Sequence, residues 1–291
     1  MMQKLLVFQS LWAMERLSGD SHEPSLEENI ARIAAAGFDG VSAHYTDRAD
    51  VLRLNRAIRG TGLRIEGVCF PRSIEDLRHT LALAQEFPVS HIDLQADIRP
   101  RRVEDCLPLL DGWMRLAEEA GVPVFIETHR NRITSDLLFT LDLLERRPEL
   151  PLLADLSHYL VAREFAFPVE DESQRQIRRI LRNAQAFHGR VGSCEQIQIE
   201  ISFAHHRPWV DLFLNWWDYG FRHWQSLAPD NGELVFTCEL GPSPYAITGR
   251  DGSDSTDRWM ESLQFKTMAQ TLWAQTAHSA SGIATVSDIN R

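Results

Sequence analysis

The chain has 291 residues, 44% of them hydrophobic and 24% charged, the make-up of an ordinary globular protein that buries its core without disulfides or structural metals. A formal net charge of −11 argues against a nucleic-acid backbone or an anionic membrane surface as partner, because both call for a basic face. The four cysteines, Cys69, Cys106, Cys194 and Cys238, form no CxxC pair, so a zinc ribbon has no support and free thiols in a reducing compartment are expected.

Short apolar runs alternate with amphipathic stretches along the chain. KLLVFQS (4–10) precedes SLEENIARIAAAG (25–37), where Ser25 and Glu28 make a capping box and Gly37 closes the helix. FDGVSAHY (38–45) precedes ADVLRLNRAIRGTG (49–62), and LRIEGVCF (63–70) precedes a second capped helix, SIEDLRHTLALAQEF (73–87). VSHIDLQA (89–96) leads to VEDCLPLLDGWMRLAEEAG (103–121), and VPVFIETH (122–129) to SDLLFTLDLLERR (135–147). LPLLADLSH (150–158) is followed by ESQRQIRRILRNAQA (172–186), a helix whose arginines are read as solvated. FHGRVGS (187–193) leads through a longer loop to WVDLFLNWWDYGFRHWQSL (209–227), and GELVFTCELGP (232–242) to TDRWMESLQFKTMAQTLWAQ (256–275). Strict alternation implies parallel strands, and their near-continuous apolar runs imply that both faces are covered. Eight strand–helix units in a chain of this size fit a closed (β/α)₈ TIM barrel of the α/β class. A single barrel domain is expected over 1–275, with an aperiodic tail over 276–291. The N-terminal LLVF is too short for a signal-peptide core and no stretch reaches transmembrane length, so a cytoplasmic protein is expected.

In such a barrel, chemistry gathers at the carboxyl ends of the strands. Strand five ends at Glu127, strand six at Asp155 with His158 three residues on, strand seven carries His188 and Arg190, and strand eight ends at Glu239. Each carboxylate follows an apolar run, where an uncompensated charge is costly. Three carboxylates converging without a cation would repel, and a divalent ion resolves the conflict. The mixed oxygen and nitrogen donors suit one Mn²⁺, Mg²⁺, Co²⁺ or Zn²⁺ ion. Gln9, His44, Glu66 and Gln95 also stand near strand ends, either lining a pocket or packing as polar core; Glu195 and Gln198 are further candidates for substrate contact. His205 and His206 compete with His188 as ligands, although loop bonding is the simpler account. Trp216 and Trp217 are adjacent and cannot both face the barrel, so one is a candidate for a homo-oligomer contact beside ordinary helix packing.

VFIETHRNRIT, LLADLSHYL, FHGRVGSCEQIQI and FTCELGPSPY resemble four segments of the xylose isomerase-like TIM-barrel superfamily, the sugar phosphate isomerase/epimerase proteins. The likeness spans roughly Met1 to Gln275. It implies a metal site of Glu127, Asp155, His188 and Glu239, with Glu127 and Glu239 as acid and base, and His158 and Arg190 holding substrate. The implied reaction moves a proton next to the carbonyl of a small sugar through a metal-stabilised enediolate, which makes the chain a metal-dependent isomerase or epimerase. Three alternatives remain open. They are a lyase or dehydratase similar to inosose dehydratases, a metal-dependent hydrolase similar to the abasic endonuclease branch, and a sugar-binding barrel without turnover.

Overall fold

The computed structural model describes residues 2–17 and 23–284. Eight parallel strands close on themselves in sequence order: β1 (Lys4–Ser10), β2 (Gly40–His44), β3 (Arg64–Cys69), β4 (His91–Leu94), β5 (Val124–Glu127), β6 (Leu152–Ala154), β7 (Ala184–Gly189) and β8 (Glu233–Cys238). The seam is the β1–β8 pair, in register from Lys4 opposite Glu233 to Gln9 opposite Cys238. The α/β TIM barrel expected from the alternation is therefore the fold.

Helices follow the strands in the expected order: α1 (Leu26–Ala35), α2 (Arg48–Ala57), α3 (Ile74–Glu86), α4 (Leu107–Ala120) and α5 (Leu137–Arg146) after β1 to β5. The capping box forms as the sequence implies: Ser25 Oγ accepts from Glu28 N at 3.2 Å, and the Glu28 carboxylate accepts from Ser25 N at 2.7 Å. After β6 the chain makes a short α6 (Ser157–Ala162) before α7 (Asp171–Leu181). Helix α7 stops earlier than its apolar spacing suggests, and Ala184–Ala186 belong to β7 instead. The Asn183 amide ends the helix by donating to Pro148 O at 2.7 Å and Leu150 O at 2.9 Å.

Helix α8 (Arg207–Leu227) buries both of its adjacent tryptophans, so no subunit contact is needed to cover either. Trp217 meets Phe236 of β8 edge-on at 5.1 Å, whereas Trp216 points to the neighbouring helix and donates to Gln174 Oε1 of α7 at 2.7 Å. The last helix, α9 (Arg258–Ala284), runs unbroken past residue 276, where an aperiodic tail was expected to begin; its Ala277 and Ala280 are strong helix formers. The rest of that expected tail, 285–291, lies outside the described residues. Among the described residues no helix is long and apolar enough to cross a membrane.

Two layers of core hold the barrel. The larger lies between strands and helices, and a small inner plug of Leu6, Phe8, Leu153, Ala186 and Val235 closes the amino-terminal floor. Gly40 admits that plug, since a Cβ there would sit 2.6 Å from the Phe8 ring. Strand residues alternate between faces, so the inward positions two residues above the plug are Asp155, His188 and Thr237, with Glu239 two further on. At the seam, the buried Arg258 guanidinium donates to Ala13 O at 2.6 Å, Glu15 O at 2.7 Å and Leu240 O at 3.2 Å, latching the loops after β1 and β8 to the start of α9.

Candidate metal centre

Glu127, Asp155, His188 and Glu239 each present one donor atom, and these atoms all lie within 4.8 Å of one another. Glu127, Asp155 and His188 are buried, and the Glu239 side chain is 13% exposed. Local bonds aim each group. Thr128 Oγ1 donates to Asp155 O at 2.9 Å and accepts from Asp155 N at 2.9 Å, pinning the ends of β5 and β6 together. Asp155 Oδ1 accepts from Ser157 N at 3.0 Å, which turns Oδ2 inward. Thr134 Oγ1 donates to Glu127 O and accepts from His129 N, bracing the loop after β5.

The bonding of these groups is incomplete where it matters. Both carboxylate oxygens of Glu127, Asp155 Oδ2 and His188 Nδ1 are buried without a hydrogen-bond partner. His188 Nδ1 stands 3.0 Å from Glu239 Oε2 and 3.4 Å from Glu127 Oε1 without hydrogen-bonding geometry to either. Orphaned buried polar atoms are costly. Four of them facing a shared point, with mixed oxygen and nitrogen chemistry, fit a single divalent cation.

The other ring nitrogen of His188 is taken. Nε2 lies 3.2 Å from Glu66 Oε1, and Glu66 Oε2 accepts from Thr237 Oγ1 at 3.0 Å and lies 2.8 Å from His91 Nε2. A proton on Nε2 leaves Nδ1 as the free donor, the carboxylate–histidine arrangement that supports metal ligands. Burial opposes ionisation of Glu66, but the two histidines hold its carboxyl well below the usual carboxylate range. Glu66 does not line the pocket; its place in the middle of β3 hides its role in the sequence, where only the barrel register reveals that it faces His188. Burial pushes the Glu127 carboxyl up to about 7, with His188 opposing. Burial raises Asp155 too, against the pull of Arg190. Arg190 and His188 overcome burial at Glu239 and bring it down to about 2. His188 is desolvated, yet Glu239 and Glu66 raise its pKa well above the ordinary value.

Arg190 stands beside the four donors. It donates to Glu239 Oε2 at 2.5 Å and to Glu239 O at 3.0 Å, and its Nη1 lies 3.2 Å from Asp155 Oδ2. Its guanidinium lies 5.2 Å from the Tyr245 ring and 5.8 Å from Trp12. Gly241 makes room for that wall, because a Cβ there would come within 2.2 Å of the Trp12 ring. His158 is fully buried, 3.6 Å from Asp155 Oδ2, with its ring centroid 3.8 Å from that of His129. Burial, and then the His129 and Arg190 charges, keep His158 neutral. Glu127, His129 and His158 also bring donor atoms within 4.8 Å, but His129 Nδ1 is already 2.5 Å from Arg130 O and Arg190 Nη1 is 3.4 Å from His158 Nε2. A second cation there would meet the guanidinium, so the single-ion arrangement is the better fit.

Above the donors lies a cavity of about 500 Å³, reached by Glu239, Arg190, His129, Trp12, Tyr245, His44 and Gln95 among others. Of the other polar candidates, Gln9 is buried in the barrel and does not reach this cavity. Gln198 straps the loop after β7 to that after β8, accepting from Gly241 N at 2.8 Å and donating to Gly241 O at 3.1 Å. Glu195 is exposed and does not line the cavity. His206 is bonded to its own loop, with Nδ1 2.7 Å from Glu200 O, and His205 packs against its ring.

Solved structures share this architecture. A D-allulose 3-epimerase from Methylomonas sp. in complex with D-allulose is 16% identical and matches 94% of this chain and 97% of its own, with a TM-score of 0.58. The fold they share with this chain is the closed (β/α)₈ barrel. A xylose isomerase-like TIM barrel protein from Mycobacterium smegmatis in complex with magnesium is 9% identical over 92% of this chain and 97% of that one, with a TM-score of 0.59. A probable 3-DHS dehydratase from Bacillus anthracis is 14% identical over 92% and 98%, with a TM-score of 0.55. No protein-family model matches the sequence, and no curated protein matches it. At these identities the xylose isomerase-like likeness is one of fold, and the chemistry has to be argued from the site.

Proposed function

We propose that this chain is a divalent-metal-dependent epimerase or isomerase of a keto-sugar or sugar derivative, and that it works in the cytoplasm, where its four free cysteines fit a reducing compartment. The observation that carries the reading is the convergence of Glu127, Asp155, His188 and Glu239, with inward atoms of the first three buried and unpartnered. A divalent ion held by these four would supply positive charge that stabilises the negative charge left on oxygen when a proton leaves the hydroxyl-bearing carbon next to the carbonyl.

The chain's own residues carry the remaining steps. Glu127 and Glu239 come from non-adjacent strands, so they reach the reacting carbon from different directions. One removes the proton and the other returns one, which inverts the centre or, at the neighbouring carbon, isomerises the sugar. Arg190 steadies Glu239 in its ionised form and offers donors to substrate oxygens at the cavity floor. His158, neutral and buried, holds Arg190 and Asp155 in place and is the second candidate for a substrate hydroxyl. The Trp12 and Tyr245 rings keep water from that side of the site.

The test is isotope exchange. With a divalent ion and a keto-sugar panel in deuterated water, label is expected at the carbon next to the carbonyl, and Glu239→Gln should slow its entry by about 10² to 10⁴-fold. No exchange with any sugar of the panel, or unchanged exchange in the variant, sinks the assignment. Dehydration is the second reading, favoured by the fold shared with a probable dehydratase. It gives a product lighter by one water in the mass spectrum, which epimerisation never does.

A further inference from the structure

The loop after β5 carries a feature that proton transfer leaves unexplained. Asn131 holds a left-handed backbone (φ 57°), its N donating to Ser135 Oγ at 3.0 Å and its side-chain oxygen accepting from Arg99 Nε at 2.8 Å. That conformation is uncommon outside glycine and needs surrounding bonds to persist. Its effect is to present Arg132 to the cavity wall, with the guanidinium 5.6 Å from the Phe70 ring, which lines the same cavity.

Arg132 is under-compensated there. Its Nε is buried and has no acceptor. Its nearest carboxylate, Asp97, stands 3.4 Å away and is held more closely by Arg72 at 2.6 Å and Arg99 at 2.7 Å. Three guanidinium groups thus share one carboxylate. Arg132 is the least exposed of the three, at 18% against 76% and 46%, so its charge is the least relieved by water. Of the two other outlying carboxylates on the cavity, Asp50 is answered by Arg53 at 3.2 Å, and Glu15 is exposed. A cavity-lining guanidinium that shares its one carboxylate with two better-placed arginines, in a protein of net charge −11, calls for an anion from outside.

We propose that Arg132 is the core of an anion subsite, so that the sugar acted on carries a carboxylate or phosphate group. The cavity, at about 500 Å³, lies in the range that holds drug-sized ligands, leaving space for such a group beside the sugar. This inference rests on the same pocket as the proposed epimerase reading, but its test needs binding and no turnover.

The experiment is calorimetric titration of the divalent-loaded protein with D-fructose, D-fructose 6-phosphate and D-galacturonate. At least one anionic probe should bind about 10- to 100-fold more tightly than D-fructose, the scale of a hydrogen bond to a charged group. Arg132→Gln should collapse that ratio to near one. Arg132→Lys separates the sources: a point charge keeps a phosphate preference but loses the paired bonds that a carboxylate makes with arginine. Should Arg132→Gln not fold, Asp97→Asn gives the converse reading, because removing the countercharge should tighten anion binding. Equal affinity for all three probes, a ratio retained in Arg132→Gln, or unchanged or weaker anion binding in Asp97→Asn overturns the proposal. Retained anion preference without isotope exchange sinks the epimerase reading alone; exchange on neutral sugars without anion preference sinks only the subsite.

Discussion

The two halves of this barrel are built on the same strand geometry and do different work with their inward positions. Strands β5 to β8 lift Glu127, Asp155, His188 and Glu239 to the rim, where they converge and where Glu127, Asp155 and His188 keep buried atoms without a hydrogen-bond partner. In the other half, β3 places Glu66 inside the barrel, where its oxygens bond His188 Nε2 and Thr237 Oγ1 and stand 2.8 Å from His91 Nε2. A carboxylate with filled bonds is a brace; one with empty bonds is a ligand in waiting. Burial alone does not separate them, since Glu66 and Glu127 are both fully buried.

That contrast breaks first under substitution. Asp155→Ala removes a rim donor and should weaken divalent binding by more than the roughly 10- to 100-fold expected when Glu66→Gln loosens the support of His188. Competition titration against a fluorescent chelator measures both, and equal losses would erase the distinction between ligand and brace. Metal removal is the next effect in size. A divalent ion at 100 times its Kd adds about 2.7 kcal/mol to stability, and each kcal/mol moves the Tm of a chain somewhat smaller than this by about 2–4 °C. Chelation should therefore lower Tm by several degrees. It should also speed amide exchange at the ends of β5 to β8 while leaving β2 and β3 nearly unchanged, and uniform exchange would contradict the division.

A pH effect lies behind β5 to β8, where Glu261 of α9 accepts from Ile201 N at 3.2 Å. Burial first, then the neighbouring Glu200 carboxylate, pushes the Glu261 carboxyl up to about 9. An unfolded glutamate titrates near 4.3, so the folded chain keeps a proton that the unfolded chain gives up between those values. Stability then falls as pH rises through that window. Glu261→Gln should match the parent in Tm near pH 4 and exceed it near pH 8; a variant that is less stable at pH 8 removes the argument.

That Glu127, Asp155 and Glu239 meet at one rim was legible in the sequence because each carboxylate ends an apolar run, and strand ends can be counted without knowing register. Glu66 was visible only as a polar residue inside LRIEGVCF, since which face it takes depends on how β3 aligns with β4. Arg190 could be named from its place two residues after His188, but not its three contacts, two of which need β8 folded alongside and the third β6. The start of β7 was hidden because Ala184 and Ala186 suit a helix as well as a strand. Trp216 and Trp217 divide as their adjacency requires: a helix between two neighbours has two inner faces, so one ring meets β8 and the other α7, the ordinary packing that the sequence allowed.

The seam has a consequence for how the protein is made. Strands β1 and β8 are adjacent in space and among the farthest apart in sequence, and the Arg258 latch across them lies later still. During synthesis the first seven strands emerge with the cylinder open. The final carboxylate of the quartet arrives on the segment that shuts it, so a nascent chain cannot bring all four groups together until β8 and the residue after it have left the ribosome.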